Sequence, residues 1–328
     1  MKIGKISESI LKRSVLKQIT ANRPEMVKGA SIGADCAVTE LSDGECCIAF
    51  STDPVTGKIS EVGRRAVHRT VNNVASAGAE PFGVLLSVLI PESTEEQELR
   101  EFMQTADEEC KALGVQLMGG HTMVTKAVNE PVVTATGVGK ICDNKCYAKG
   151  KAKPGADIVV TKWIGLEGTS ILAHEKEDEL KKNFSVPFIR EAQRFENYFS
   201  VLKDAQIAVE CGAQAMHDVS EGGIFGALWE FAEANGVGLD IDLKAIPIRQ
   251  ETVEICNYID VNPYQMMSCG SLIIAADNGY DMVRALERKG ISAAVIGCTT
   301  DGNDRTVLNG EERRFLTKPE PDEIHRIR

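Results

Sequence analysis

Three short segments set carboxylates among small residues: Gly33-Ala34-Asp35, Ser51-Thr52-Asp53, and His217-Asp218-Val219-Ser220-Glu221-Gly222-Gly223. All three read as turns, where small neighbours let the backbone approach a ligand while a carboxylate protrudes. A hard divalent cation such as Mg²⁺ prefers oxygen ligands and is commonly held by a few carboxylates together with substrate phosphates. Dispersed aspartates therefore suit a metal-nucleotide complex. Taken singly, each Asp reads more plainly as a turn cap; taken together, the three favour a site. Gly222-Gly223 opens an apolar helix, whose free N–H groups and positive dipole end could meet a phosphate. Gly119-Gly120-His121-Thr122 follows a strand and offers a second close-approach turn, although a tight turn without a ligand would explain either glycine pair alone. The Walker-type loop, the dinucleotide-binding Gly-x-Gly-x-x-Gly, and the kinase and metalloprotease motifs are all missing.

The elements that must position these residues follow from periodicity. Ser60 to Ala79 carries Val62, Ala66, Val67, Val71, Val74 and Ala75 at helical spacing. Arg65, Arg69, Asn72 and Asn73 lie elsewhere around that helix, either as a solvated face or, in the sharper reading, with Asn73 near a metal. Ser93-Thr94-Glu95-Glu96 has the form of a capping box, followed by Leu99, Phe102, Met103, Ala106, Cys110 and Leu113, with Gly114 as the stop. Strands are expected at Phe82 to Ile90, Val115 to Met118 and Val132 to Val138. The basic, turn-prone run from Ala148 to Asp157 divides the chain into domains 1–149 and 150–328. Beyond it the pattern predicts a strand at Ile158 to Thr161, an amphipathic stretch around Phe188 to Val209, a helix from about Gly223 to Asn235, and strands at Leu272 to Ala276 and Ala293 to Gly297. Both halves are α/β.

Composition narrows the function classes. Of 328 residues, 43% are hydrophobic and 26% charged, enough apolar material for two cores. A formal net charge of −11 without a basic cluster argues against a nucleic-acid surface. The longest apolar stretch, Phe82 to Ile90, is far short of the roughly 20 residues that cross a bilayer, and the amino terminus leads into no signal-peptide core. No membrane association and a cytoplasmic location are expected. The ten cysteines are spread through apolar runs and read mostly as buried free thiols; Cys142 and Cys146, a Cys-x₃-Cys in a polar loop, lack the second pair a zinc site needs.

In order along the chain, Gly33 to Val38, Ser51-Thr52-Asp53, Thr70 to Pro81, Gly119 to Thr122, Lys153-Pro154-Gly155 and Asp218 to Gly223 resemble the aminoimidazole ribonucleotide (AIR) synthase superfamily across nearly the whole chain. Thr70 to Pro81 and Gly4-Lys5-Ile6 are most similar to its HypE-like, hydrogenase-maturation branch. The resemblance implies a two-domain α/β (α+β) fold in which an amino-terminal mixed sheet forms the interface of a homodimer, followed by a carboxyl-terminal α/β domain. It also implies ATP and Mg²⁺ as cofactors. Asp35 and Asp53 would be metal ligands, with Asn73, Asp218 and Glu221 at metal-facing positions. Thr52, Gly119, Gly120, Thr122, Lys149, Ser220, Gly222 and Gly223 would contact nucleotide, and His121 and Asp218 would serve the chemistry.

Two departures bear on mechanism. Asn73 stands where the family usually has Asp, and His121 where many members have Asp or Glu; fewer carboxylates mean weaker Mg²⁺ binding. The ending His325-Arg326-Ile327-Arg328 resembles the Pro-Arg-Ile-Cys of hydrogenase-maturation dehydratases with Arg328 in place of cysteine. A guanidinium lacks the free lone pair that thiol-carried chemistry needs. The expectation is an enzyme that phosphorylates a carbonyl or acid oxygen of a small or carrier-bound substrate. The alternatives are a non-catalytic nucleotide-binding assembly or sensing protein, with a protein partner in an assembly pathway, and a metabolite kinase resembling thiamine-monophosphate kinase.

Overall fold

The computed structural model describes residues 7–20, 24–40, 46–142 and 151–327. Lys149, Arg328, Cys146 and Gly4-Lys5-Ile6 lie outside these residues. The described chain divides into two compact units, one holding residues 24–29 and 35–142, the other 7–20, 30–34 and 151–327. The second unit is thus discontinuous, a feature that turn and linker signals do not carry.

In the first unit, β1 (Met26–Lys28), β2 (Ala37–Glu40), β3 (Cys46–Thr56), β4 (Glu80–Ile90), β5 (Gln116–Val124) and β6 (Val132–Cys142) form a sheet of order β1-β2-β3-β6-β4-β5. Its pairs are antiparallel except β4 with β5. Helices α1 (Ile59–Ser76) and α2 (Glu96–Ala112) supply the apolar residues for this unit's core. Alternation decides which side of each strand is buried: Val84, Leu86, Val88 and Ile90 are buried, while Leu85 and Ser87 between them are exposed. The apolar stripe read from the sequence is buried on α1, and Phe102 of α2 is fully buried. The capping box of α2 is present two residues later than Ser93 suggested: Glu95 is the cap and its backbone N–H donates to Glu98, 2.8 Å away. Arg65, Arg69, Asn72 and Asn73 are all buried, so they do not form a solvated face.

The second unit is built on a sheet of order β13-β12-β9-β11-β7-β10-β8, comprising β7 (Asp157–Thr161), β8 (Ala215–Val219), β9 (Gly238–Asp242), β10 (Ser271–Ala276), β11 (Ala293–Thr300), β12 (Arg305–Asn309) and β13 (Glu312–Phe315). Its helices are α3 (Leu166–Glu175), α4 (Val186–Gln193), α5 (Leu202–Glu210), α6 (Gly223–Asn235), α7 (Gln250–Ile259) and α8 (Gly279–Glu287). Ile224, Leu228 and Phe231 of α6 pack with Ile158, Val160, Ile273 and Ile296 of the sheet in one apolar core. The stretch around Phe188 to Val209 is not one helix but α4, a 3₁₀ turn at Arg194–Tyr198, and α5. The amino-terminal segment, helical from Glu8, is fastened to α6 by Lys12 to Glu233 at 2.7 Å and by the Trp229 indole N–H donating to Glu8 at 2.8 Å. Among the described residues no helix is long and apolar enough to cross a membrane. The described cysteines are free thiols, with Cys36, Cys47, Cys110, Cys256 and Cys269 buried and Cys211 exposed.

Candidate active site

Two polar clusters, one in each unit, contain the acids singled out by sequence. In the first unit Ser51 and Asp53 sit two positions apart on β3 and so point to the same face, toward α1. From α1, the Asn73 side-chain amide donates to Asp53 Oδ2 at 2.6 Å and to Ser51 Oγ at 2.9 Å. Ser51 Oγ in turn donates to the same Asp53 oxygen at 3.1 Å. One turn along α1, Ser76 Oγ donates to Asp35 Oδ2 at 2.9 Å, and Cys36 Sγ donates to the Asn73 carbonyl at 3.0 Å. Thr70 pins the helix to the sheet, donating to the Ser51 carbonyl and accepting the Gly137 N–H. Burial pushes the Asp53 carboxyl above its ordinary range. The Arg69 charge and the Ser51 and Asn73 hydrogen bonds pull it back down, while Asp35 adds a push upward. Asp53 is therefore bonded to Asn73, and Asp35 to Ser76 one turn further along the same helix.

Several expectations meet a different geometry. Ser51-Thr52-Asp53 is not a turn: it lies in the middle of an eleven-residue ladder between β3 and β6. Thr52 consequently faces away from Asp53, and its hydroxyl meets that of Thr136 at 3.1 Å. Gly119-Gly120-His121-Thr122 is likewise inside β5, opposite Leu85 to Val88 of β4. Gly120 is there because the strands approach closely: a Cβ on it would stand 1.8 Å from the Leu86 carbonyl oxygen. Three strand spacings separate β5 from β3, roughly 14 Å, so within this unit His121 does not reach Asp53.

In the second unit Asp218 is the penultimate residue of β8, buried, and after Val219 the chain turns through Ser220-Glu221-Gly222 into α6. Gly222 and Gly223 both hold left-handed backbone, and a Cβ on Gly223 would collide with the Tyr264 carbonyl at 2.6 Å. Two of the N–H groups expected to be free here are engaged. Gly223 donates to the Ser220 carbonyl at 3.2 Å, and Gly222 donates to the Asp322 carboxylate at 2.7 Å. Asp322 also accepts the Ile324 N–H at 3.0 Å, and His325 Nε2 lies 3.3 Å from Glu221 Oε1. Burial raises the Asp322 carboxyl to about 6, against the lowering effect of these N–H donors. The segment Asp322–Arg326 thus covers the acidic turn, and no local motif announces a contact spanning 100 positions.

Comparison with known proteins decides the family. Residues 33–141 match the AIR synthase related protein N-terminal domain, and residues 153–308 match its C-terminal domain. A carbamoyl dehydratase HypE from Rhodobacter capsulatus is 31% identical over 241 residues, 71% of this chain and 68% of that protein. The chain belongs to the AIR synthase related family, in its HypE-like branch. A second relative in the branch, a putative hydrogenase expression/formation protein from Methanocaldococcus jannaschii, is 27% identical over 99% of this chain and 97% of its own length. The fold agrees with the crystal structure of the hydrogenase maturation protein HypE in complex with ATP, with a TM-score of 0.72, 20% identity, and coverage of 98% of this chain and 97% of that one. Asp35 and Asp53 both lie within the stretch that matches the N-terminal domain. What sequence reasoning missed around them is Ser51, Arg69 and, in the second unit, Asp322 and His325. Only the alternation of Ser51 with Asp53 on one strand face carries a sequence signal.

Proposed function

We propose that this chain is an ATP-dependent, Mg²⁺-using enzyme that transfers a phosphoryl group to a carbonyl or acid oxygen of a small or carrier-bound substrate. The observation that carries the reading is the gathering of Asp35 and Asp53 around Asn73 on the buried face of α1. Membership of a family with an ATP-complexed relative of the same fold supports it. The donor set fits a hard divalent cation: carboxylate oxygens at Asp35 and Asp53, with an amide oxygen within reach at Asn73. Among the described residues no three His, Cys, Asp or Glu groups converge closely enough to hold a metal by themselves, which suits a cation that arrives with phosphates. Bound there, Mg²⁺ would neutralise charge on the phosphate oxygens. The protein's own part is positioning: Asn73 and Ser51 fix Asp53, Ser76 fixes Asp35, and Thr70 holds α1 against the sheet.

The active form is proposed to be a homodimer. On the sheet side that alternates with the buried one, Phe50, Leu85, Met118 and Met123 are exposed large apolar residues, and β5 is an uncovered edge strand within the unit. A second subunit would bury them and would let His121 and Gly119 to Thr122 serve a site to which β3 of the same chain does not bring them. A protein partner in an assembly pathway is part of the same reading, motivated by the expression/formation name of one relative. The decisive experiment is thermal unfolding with ATP, with and without Mg²⁺. The parent is expected to gain stability only when both are present, and Asp53→Asn to lose most of that gain. Equal gains in the two proteins would remove Asp53 from the site. Light scattering at micromolar concentration is expected to give twice the chain mass, and a monomer would refute the dimer.

A further inference from the structure

One oxygen of the Asp53 carboxylate, Oδ2, is already occupied by the protein itself. Each carboxylate oxygen offers two lone-pair sites, and both sites of Oδ2 are taken, by the Asn73 amide at 2.6 Å and the Ser51 hydroxyl at 3.1 Å. The Arg69 charge acts on the same group. A free cation approaching Oδ2 must therefore displace a short hydrogen bond to a charged acceptor inside the protein, a contact of the stronger kind. The Asn73 side chain has two different ends: nitrogen that donates to a carboxylate, and oxygen that can ligate a cation. With the nitrogen toward Asp53, the residue mimics a cation. Rotated by half a turn, it would add an oxygen ligand beside the carboxylate it released. An Asp at this position could do only the second.

We propose that Asn73 is a specificity-determining residue that keeps Oδ2 of Asp53 closed to free divalent cations, so that a cation gains this oxygen as a ligand only when it enters together with nucleotide phosphates. This deepens the phosphoryl-transfer reading and rests on it for the identity of the nucleotide. Ser51 is the positioning residue, because it accepts from the same Asn73 nitrogen and thereby fixes which end of the amide faces Asp53. Without a nucleotide Oδ2 stays satisfied by Asn73 and Ser51; with one, phosphate oxygens supply the ligands that make displacement of Asn73 favourable.

The test is Mn²⁺ binding, followed by electron paramagnetic resonance of the free ion and by calorimetry, on the parent, Asn73→Asp and Asn73→Ser. Without nucleotide, Asn73→Asp is expected to bind Mn²⁺ at least about tenfold more tightly than the parent, a difference of about 1.4 kcal/mol. Asn73→Ser, which removes the amide donor without adding charge, is expected to bind more tightly than the parent as well, and it preserves the test where the added buried carboxylate prevents folding. With a non-hydrolysable ATP analogue the difference between parent and Asn73→Asp is expected to shrink to about threefold or less. Equal Mn²⁺ affinity of parent and variants in the absence of nucleotide overturns the proposal. So does a gap that persists undiminished when the analogue is bound. Binding of the analogue to the parent is measured separately. Its absence would defeat the phosphoryl-transfer reading and the nucleotide half of the proposal, while the free-ion comparison would still decide whether Asn73 closes Oδ2 of Asp53.

Discussion

Asp322 gives the most specific pH prediction. Its carboxyl is fully buried, and burial raises it from the ordinary 3.8 to about 6. Because the raised value belongs to the folded state, the native protein binds a proton there that the unfolded chain releases between pH 6 and pH 4. Stability therefore rises as pH falls through this window, and the charged form costs stability above pH 6. Roughly two pH units at 1.36 kcal/mol each amount to about 3 kcal/mol between pH 4 and pH 7. Asp322→Asn removes the titration, and its amide cannot accept both the Gly222 and Ile324 N–H groups as the two carboxylate oxygens do. The assay is urea unfolding of parent and variant from pH 4.5 to 8 without metal or nucleotide. It is followed by tryptophan fluorescence, which reports the second unit alone because Trp163 and Trp229, the chain's two tryptophans, both belong to it. Taking the difference between the two proteins cancels groups that titrate alike in both, so the parent's stability relative to the variant is expected to climb as pH drops from 7 toward 4.5. Parallel stability curves for the two proteins would refute the assignment.

Three further outcomes follow from packing. Gly120→Ala forces a methyl to within 1.8 Å of the Leu86 carbonyl, so the β4–β5 pairing must open; a loss above about 2 kcal/mol is expected in denaturant unfolding, and an unchanged midpoint would contradict the close approach. Phe102→Ala empties a fully buried site in the first unit and is expected to cost about 3–5 kcal/mol by circular dichroism melts, a loss under 1 kcal/mol being the contrary result. Lys162, buried and in left-handed backbone, pairs with buried Asp204. Lys162→Met is expected to cost about 3–5 kcal/mol by leaving that carboxylate uncompensated, with Lys162→Met/Asp204→Leu recovering much of it; a double variant no better than the single would show that the charge is not the cause.

Elements with a strong internal period were legible from sequence, and residues whose role depends on a distant strand were not. The helix at about Gly223 to Asn235 was readable because Gly-Gly opens it and Ile224, Leu228, Phe231 and Ala232 mark its apolar stripe. Asp35, Asp53 and Asn73 were legible as a group through resemblance, and the structure bonds Asp53 to Asn73 and Asp35 to Ser76 of the same helix. Their setting was not. Ser51-Thr52-Asp53 carries turn-prone residue types, yet eleven paired positions with β6 override local preference and put Thr52 and Asp53 on opposite faces. Gly119-Gly120 reads as a turn for the same reason, although these glycines are needed inside a strand. The polar residues of α1 could be read as a water-facing side because a partner that buried Arg65 meets lies on another element, the Thr56 carbonyl oxygen 3.0 Å from its guanidinium. The Asp322 contact was invisible for want of any spacing rule that relates positions 222 and 322.

The discontinuity of the second unit has a consequence for how the chain is made. Lys12 and Glu8 emerge from the ribosome early, but Trp229 and Glu233, which fasten them, follow more than two hundred residues later. At about 5–20 residues per second that interval is roughly 10–45 s, during which the first segment lacks these two partners. Vectorial synthesis therefore completes the middle of the protein before its beginning. A fragment ending near residue 142 would carry its own sheet and helices but leave the amino-terminal segment without α6, and a fragment starting near residue 151 would lack the segment that α6 binds. Cutting between the two halves of the sequence does not separate the two halves of the fold.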